Sequence, residues 1–539
     1  MRFWIEETRW FLPLAALSIA GCFPPDDGIE PPLDRLYFPV NIATDETSEH
    51  LFVANSNFDL QFNGGTVQSF DLERLRALIP KPCDADSDCT DGVERCDLEP
   101  TPENGGAPVH WCVPTTGLYA GRPCGPFGDK SAADHLLAPG RCNGVNPRAP
   151  QDGSPSLVTD AVGIGAFATD VIYRQAPPDA VAAPRGRLFL PVRGDTTLHW
   201  IDVDAEGRLE CGQAANGGDC DDNHRRGDKK AEENTRDLRL DPEPYGIDAT
   251  KDGRGIVVGH QVGGIASLFV NDWGPRGPTL EFRLSGLPDK VIGVAAVPEP
   301  ALVAAEDIPY QPGFLLTFRD QPEIRLARFY DDAAASPARP YLASAGSVGI
   351  PTNSVGFDSR GIAVDAEERQ TCEAKCASSD VDCLTKCAAT PLRIYVGNRT
   401  PSSLLIGQTV TNQSATSSDD LPRFVGSEPM PFGPSRVAVG KIIDRDGKLQ
   451  TRIFLVCFDT RSIVPFDPAT GQAEEAFAVG RGPHAFRPDL QVTPELRALG
   501  YVGHFTDSYV GVIDLDQRNF TYGTIVLTLG TPTPPRASK

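Results

Sequence analysis

The feature that most constrains this chain is a short unit that recurs along it. Its clearest copy joins "GRGPHAF" (480–486) to "YVGHFTDSYVGVIDL" (501–515). In that copy a proline is followed three positions on by an apolar residue, then come strand, polar turn, strand and aspartate. The same order recurs at 38–72, with Pro39 and Ile42, then "LFVAN" and "VQSFDL". It recurs at 243–270, with Pro244 and Ile247, then "GIVVGH" and "ASLFV", and at 433–467, with Pro434 and Val437, then "RIFLVC" and "SIVPFD". Two copies lack the proline: "RLFLPVRGDTTLHWIDV" (187–203), and "GIAVDA" (361–366) resuming at "RIYVGNRTPSSLLIG" (393–407). A seventh, weaker copy spans 291–320. Short apolar runs bounded by Gly, Asn, Asp and Pro read as sequential antiparallel hairpins. One such small sheet cannot cover both its faces, whereas several stacked radially cover one another, which predicts an all-β chain forming a seven-bladed β-propeller. "GTIVLTLG" (523–530) reads as the closing strand, with pairing of N- and C-terminal strands expected to seal the ring.

The units at 483–515 and 38–72 resemble YVTN-type propeller repeats, whose usual form runs Pro-His-Gly, then Tyr-Val-x-Asn, then Val-x-Val-Ile-Asp. "PHAF", "YVGH" and "VGVID" carry the likeness best, and the middle units depart further from it. The resemblance covers nearly the whole mature chain and implies a fold more than an activity. Propellers of this kind include lactonases and redox enzymes with quinone or haem cofactors, so it also implies that chemistry would lie at the central channel.

Composition agrees with many short strands: 49 prolines and 52 glycines stand against two methionines. The net charge of −23 argues against a nucleic-acid partner, which needs a clustered basic face. The acids are dispersed, as on a solvated surface.

The N-terminus reads as an export signal. Arg2 and Arg9 precede the apolar "FLPLAALSIAG" (11–21), which is too short to span a bilayer. "IAGC" (19–22) resembles the bacterial lipobox, which implies removal of residues 1–21, lipidation of Cys22 and membrane attachment through that lipid. Residues 22–34, proline-rich and acidic, read as a tether, and Phe23 in place of aspartate favours the outer membrane. The propeller is then expected over 35–530, with insertions at 76–155, 211–239 and 367–390 and a tail at 531–539.

The 14 cysteines agree with export. Cys22 is the anchor. Cys83, Cys89, Cys96, Cys112, Cys124 and Cys142 form one group, Cys211 and Cys220 a second, and Cys372, Cys376, Cys383 and Cys387 a third. Even-numbered clusters read as disulfide frameworks of undetermined connectivity. The last group, "CEAKCASSDVDCLTKC", could instead offer four thiolates to zinc, but an oxidising compartment favours two disulfides stapling a helical hairpin. Cys457, left over in "IFLVCF", reads as a buried inert thiol.

Candidate site residues are few. Asp84, Asp86 and Asp88 have the spacing of a calcium loop, but Cys89 stands where glycine is needed and Arg95 where glutamate is needed. His260 and His504 end the second strand of their units, where Asn55 and Asn398 stand in others, and His484 follows Pro483. All three histidines are candidates for the channel, and a polar strand end hydrogen-bonded to a turn is the plainer role. Asp71, Asp202, Asp467 and Asp514 recur at strand ends, as turn residues do. No haem attachment motif, phosphate loop or nucleophile elbow is present, and no cofactor is predicted. The sequence thus reads as a cell-envelope binding or scaffold module for an envelope protein or glycan. The alternative is a propeller enzyme, lactonase-like or a cofactor-dependent oxidoreductase.

Overall fold

Seven sheets stand around a central channel. The computed structural model describes residues 28–533, apart from 80, 99–109, 118–119, 122–143, 146–155, 179, 181–183, 214–217, 229–235, 302–310, 352–356, 410–419 and 493–496. Cys22, Cys124 and Cys142 therefore lie outside the described residues. Each sheet is antiparallel, with its main strands in sequence order from the channel outward, so the fold is a seven-bladed β-propeller. The innermost strands are Pro39–Thr44, Ile172–Gln175, Pro244–Ala249, Val291–Ala296, Ser359–Asp365, Pro434–Ile443 and Pro483–Pro488, for blades 1 to 7.

Blade 7 shows why the repeat folds this way. Its second and third strands, Leu499–His504 and Tyr509–Asp514, are buried at every residue because a neighbouring blade covers each face. The turn between them is closed by Ser508 N–H donating to His504 O (2.8 Å), with Ser508 at φ 58°. An apolar cluster fills each of the seven blade interfaces. Between blades 7 and 1 it joins Tyr501, Val512 and Leu527 to Ile42, Val53 and Phe70.

That last interface corrects one expectation. The ring is not closed by pairing an N-terminal with a C-terminal strand, because Ile525–Leu529 is the outer strand of blade 7 and Pro39–Thr44 the inner strand of blade 1. Side-to-side packing closes it instead. The free edge of the blade 7 outer strand is covered by Val145, from the blade 1 insertion, which donates to Thr528 O (2.8 Å) and accepts from Gly530 N–H (2.7 Å).

Strand alternation gives the disc two distinct faces. Connections from first to second and from third to fourth strands emerge on one face; the remaining connections and the chain entering blade 1 emerge on the other. The cysteine-bearing insertions of blades 1 and 5 both rise from the first, here the insertion face. The bonds are Cys83–Cys96 and Cys89–Cys112 in blade 1, and Cys372–Cys387 and Cys376–Cys383 in blade 5. The blade 5 pair staples two short helices, Glu367–Glu373 and Val381–Ala388, into a hairpin, so those four sulfurs are disulfides and not zinc ligands. Cys211–Cys220 closes a loop interrupting the outer strand of blade 2, and Cys457 is free and buried. No helix among the described residues is long and apolar enough to cross a membrane.

Candidate functional site

The first strands wall a channel containing a cavity of about 370 Å³, within the size range of small-ligand sites. Its polarity comes from a few positions where some blades carry charge and others a small residue. Just after the opening residue the first strands of blades 1 and 3 to 7 have a bulge. Blades 3, 4 and 5 place Gly246, Gly293 and Gly361 there, packed against the next blade: a Cβ on Gly246 would lie 2.2 Å from Ile292 O. Blades 1 and 6 place Asn41 and Arg436 at this level, and blade 2 places Asp170.

Arg436 reaches across the channel, its Nη1 donating to Asp170 Oδ2 at 2.8 Å, while Asn41 Nδ2 donates to the other oxygen of the same carboxylate. Nearer the insertion face Arg174 pairs with Asp248 and donates to Ala249 O at 2.7 Å. Asp248 also accepts from Ala296 N–H at 2.8 Å. At the other end Arg360 is held by Asp358 through two hydrogen bonds of 2.6 and 2.9 Å.

Arg487 is different. Its Nε donates to Thr44 Oγ1 at 3.2 Å, and no carboxylate pairs with it among the described residues. Burial, with Arg174 beside it, holds its guanidinium below its ordinary pKa, only partly offset by Asp248. The channel wall thus carries Arg174, Arg360, Arg436 and Arg487 against Asp170 and Asp248, in a chain whose net charge is −23. A low-dielectric channel focuses such a field on whatever enters.

Of the three histidines singled out by sequence, only His484 stands on a first strand. Its Nδ1 lies 2.7 Å from Val40 O, and a carbonyl only accepts, so Nδ1 carries the hydrogen and Nε2 a lone pair. Burial, then Arg436 and Arg360, bring its pKa down to about 4, so the ring is neutral at pH 7. His260 and His504 stand on second strands, off the channel wall. His260 donates from Nδ1 to Pro242 O (3.0 Å), with Nε2 2.8 Å from Ser267 Oγ. His504 Nε2 accepts from Gly480 N–H at 3.1 Å while its ring stacks on Tyr509, 4.0 Å between centroids.

The structure does not gather Asp84, Asp86 and Asp88 around one point. Asp88 accepts from the backbone N–H of Asp84 (2.8 Å) and Ala85 (2.9 Å), and Asp86 from that of Cys96 (2.7 Å). Asp45, Glu49 and His50 lie close enough together to offer three ligand atoms. Their polar atoms are engaged already, Asp45 with His50 and two backbone amides and Glu49 with Arg185. The recurrent aspartates are turn and strand-end residues: Asp71 caps the helix Leu72–Ala77 and Asp514 accepts from Asp516 N–H at 3.0 Å.

Reading the sequence for histidines missed the channel arginines. Their signal is positional: aligning the units on the opening strand shows "PSR" at 434–436 and "PHAFR" at 483–487 where most other units carry alanine, glycine or aliphatics.

No family model matches the chain, and no curated protein matches it. Solved structures resemble it at low identity. The periplasmic gluconolactonase of Pseudomonas aeruginosa is 10% identical over 82% of this chain and 86% of that one, with a TM-score of 0.42. A putative 6-phosphogluconolactonase of Bacteroides uniformis is 12% identical over 82% and 86%, TM-score 0.42. The hydrazine synthase of Kuenenia stuttgartiensis is 8% identical over 89% and 96%, TM-score 0.43. At that distance the likeness concerns the propeller alone, and the chemistry is argued from the channel.

Proposed function

We propose that the protein is a lipid-anchored binding module of the bacterial cell envelope, and that its ligand is a small anion held in the central channel. The lipobox-like "IAGC" and the disulfide pattern support the compartment. Arg487 carries the ligand reading: it is a half-buried guanidinium with no carboxylate paired to it among the described residues, in a cavity of about 370 Å³. Burying an unpaired charge is costly, and an anionic ligand relieves that cost with charge-assisted hydrogen bonds. Titration calorimetry on a form beginning at residue 23, with gluconate, citrate and inorganic phosphate, tests it. Arg487→Met should weaken whichever anion binds by roughly tenfold or more, since a hydrogen bond to a charged group contributes about 1.5–3 kcal/mol. An affinity unchanged in Arg487→Met would move the site elsewhere, and failure of all three anions to bind would remove the reading.

A second reading, a lactone hydrolase, is favoured by one observation: a neutral His484 lies near enough to Arg436 for that charge to depress its pKa, and Arg436 is itself paired with Asp170. In that reading Nε2 takes a proton from the attacking water and returns it to the ring oxygen as the acyl C–O bond breaks, with Arg436 facing the developing oxyanion. Hydrolysis of a δ-lactone no faster than the spontaneous rate, or an unchanged rate in His484→Asn, would dismiss it.

A further inference from the structure

We infer that the face from which the N-terminal tether leaves the propeller rests on the lipid surface, with the insertion face directed away from it. The inference builds on the reading of Cys22 as the lipid anchor. The first described residues are bound to this face: Ile29 O accepts from Asn63 N–H at 2.9 Å, and Gln68 Nε2 donates to Leu33 O at 2.9 Å. Asn63 belongs to the connection after the second strand of blade 1, which also presents Phe58 and Leu60 to solvent. Gly28 lies six positions beyond Cys22, with five residues between them, and six extended steps span at most about 20 Å. The bilayer therefore cannot lie far from this loop.

The face is apolar at the points that would touch it. Ile29 is 67% exposed, Phe58 53%, Leu60 59%, Val262 43% and Phe432 74%. They belong to the tether and blade 1, to blade 3, and to the connection between blades 5 and 6. Apolar tips at three places around a ring define a plane, and a plane is what a bilayer offers. Phe58 is braced and not loose, packing edge-on against Phe167 (5.9 Å) and Phe505 (5.3 Å) beside the channel mouth. Two arginines on this face are paired, Arg193 with Glu243 and Arg481 with Asp507, and Asp59, between Phe58 and Leu60, accepts from Gln61 Nε2 at 2.7 Å. Exposed apolar side chains beside a membrane anchor are the features that insert at the headgroup boundary.

The test uses the full lipidated chain in phosphatidylcholine vesicles with brominated acyl chains. Trp111, Trp200 and Trp273 are buried and give a constant background, against which Phe58→Trp and Leu490→Trp report from opposite faces. Phe58→Trp should lose roughly half its added emission, as expected of a side chain about 5–10 Å into the headgroup/acyl boundary, and Leu490→Trp almost none. Quenching of Leu490→Trp, or of neither, overturns the orientation. So does concentration-dependent dimerisation of the form beginning at residue 23 that is abolished by Phe58→Asp, since a second copy would then cover the patch. Palmitate labelling of the parent and of Cys22→Ser is run alongside. An unlabelled parent removes the anchor reading and the orientation together, whereas a labelled parent with unquenched Phe58→Trp removes the orientation alone.

Discussion

The two faces of the disc are held together by different chemistry. On the tether face the end of each second strand is tied to the chain entering the first. Asn55 Oδ1 accepts from Tyr37 N–H at 3.0 Å, His260 donates to Pro242 O, Asn398 Oδ1 accepts from Asp358 N–H at 3.4 Å, and His504 accepts from Gly480 N–H. One position serves in four blades; two of the four residues are histidines whose burial disfavours the charged form, and His504 must be neutral to accept from Gly480 N–H. Cys457 occupies the equivalent place in blade 6, opposite Pro434. On the insertion face a buried ion pair joins blades 1 and 7, and disulfides hold the insertions themselves. One face should therefore fail in acid, the other should yield to loss of a charge, and reductant should loosen the insertions alone.

The largest effect is expected at the seam between blades 1 and 7 on the insertion face. Arg76 grips Asp489 through bonds of 2.9 Å from Nε and from Nη2, and Tyr501 Oη donates to the same carboxylate at 2.8 Å. The Asp489 side chain is 1% exposed. Asp489→Ala leaves a partly buried guanidinium and a buried phenol without that partner, which should cost about 3 kcal/mol, the lower end for a broken buried pair. Asp489→Asn, which still accepts from Tyr501, should cost less. The solvent-exposed pair Arg95–Asp97 on the blade 1 insertion is the control, and Asp97→Ala should cost under about 1 kcal/mol. Urea unfolding of the three variants checks the order. Equal losses would mean the seam is closed by its apolar cluster alone.

Acid comes next and strikes the other face. Burial brings the His504 pKa down to about 3, against an ordinary value of about 6.5, so the unfolded chain takes up the proton first as pH falls. The contribution of neutral His504 is complete above pH 6.5 and is lost progressively as pH drops toward about 3. At pH 5 the difference is about 2 kcal/mol, from about 1.4 kcal/mol per pH unit over that interval. His484, its pKa brought down to about 4 by burial and then by Arg436, adds to it in the same direction. Thermal melts of wild type and His504→Gln between pH 7 and pH 5 should show a steeper fall for wild type. Parallel slopes would mean that the His504 ring is not the acid-sensitive part of this face.

The legible and illegible parts of the molecule divide on a physical line. The seven units could be read because each strand repeats the same burial demand: apolar residues bounded by Gly, Asn and Pro mark every hairpin from "LFVAN" to "YVGVID". Ring closure was misjudged because an edge can be covered by any backbone, and Val145 reaches the blade 7 outer strand from an insertion whose local sequence carries no such signal. The channel was harder still. Asp170 and Arg436 are 266 positions apart and meet only because blades 2 and 6 face across the axis. A histidine is conspicuous in sequence whether or not it works, whereas Arg487 stands out only once the register shows that small or aliphatic side chains occupy its position in most other blades.

The smallest expected effect is the sharpest test of the contrast between faces. Reduction of Cys372–Cys387 and Cys376–Cys383 should release the helical hairpin of blade 5, since helices of seven and eight residues do not persist alone in water. Those bonds restrain local loops of 15 and 7 residues, so the entropy their loss returns belongs to the hairpin and not to the ring. The propeller should then melt within about 0.5 kcal/mol of the oxidised protein, because its seven interfaces are apolar and contain neither bond. Hydrogen exchange should show protection lost over 367–390 and kept over the blade 5 strands Arg393–Arg399 and Ser402–Thr409. Alkylation under the same conditions should label the hairpin cysteines and spare Cys457, whose thiol is enclosed in blade 6 with its pKa pushed up to about 12 by burial. Labelling of Cys457 at the same rate would show the ring opening together with the hairpin. The insertions would then be part of what holds the propeller and not a surface mounted upon it.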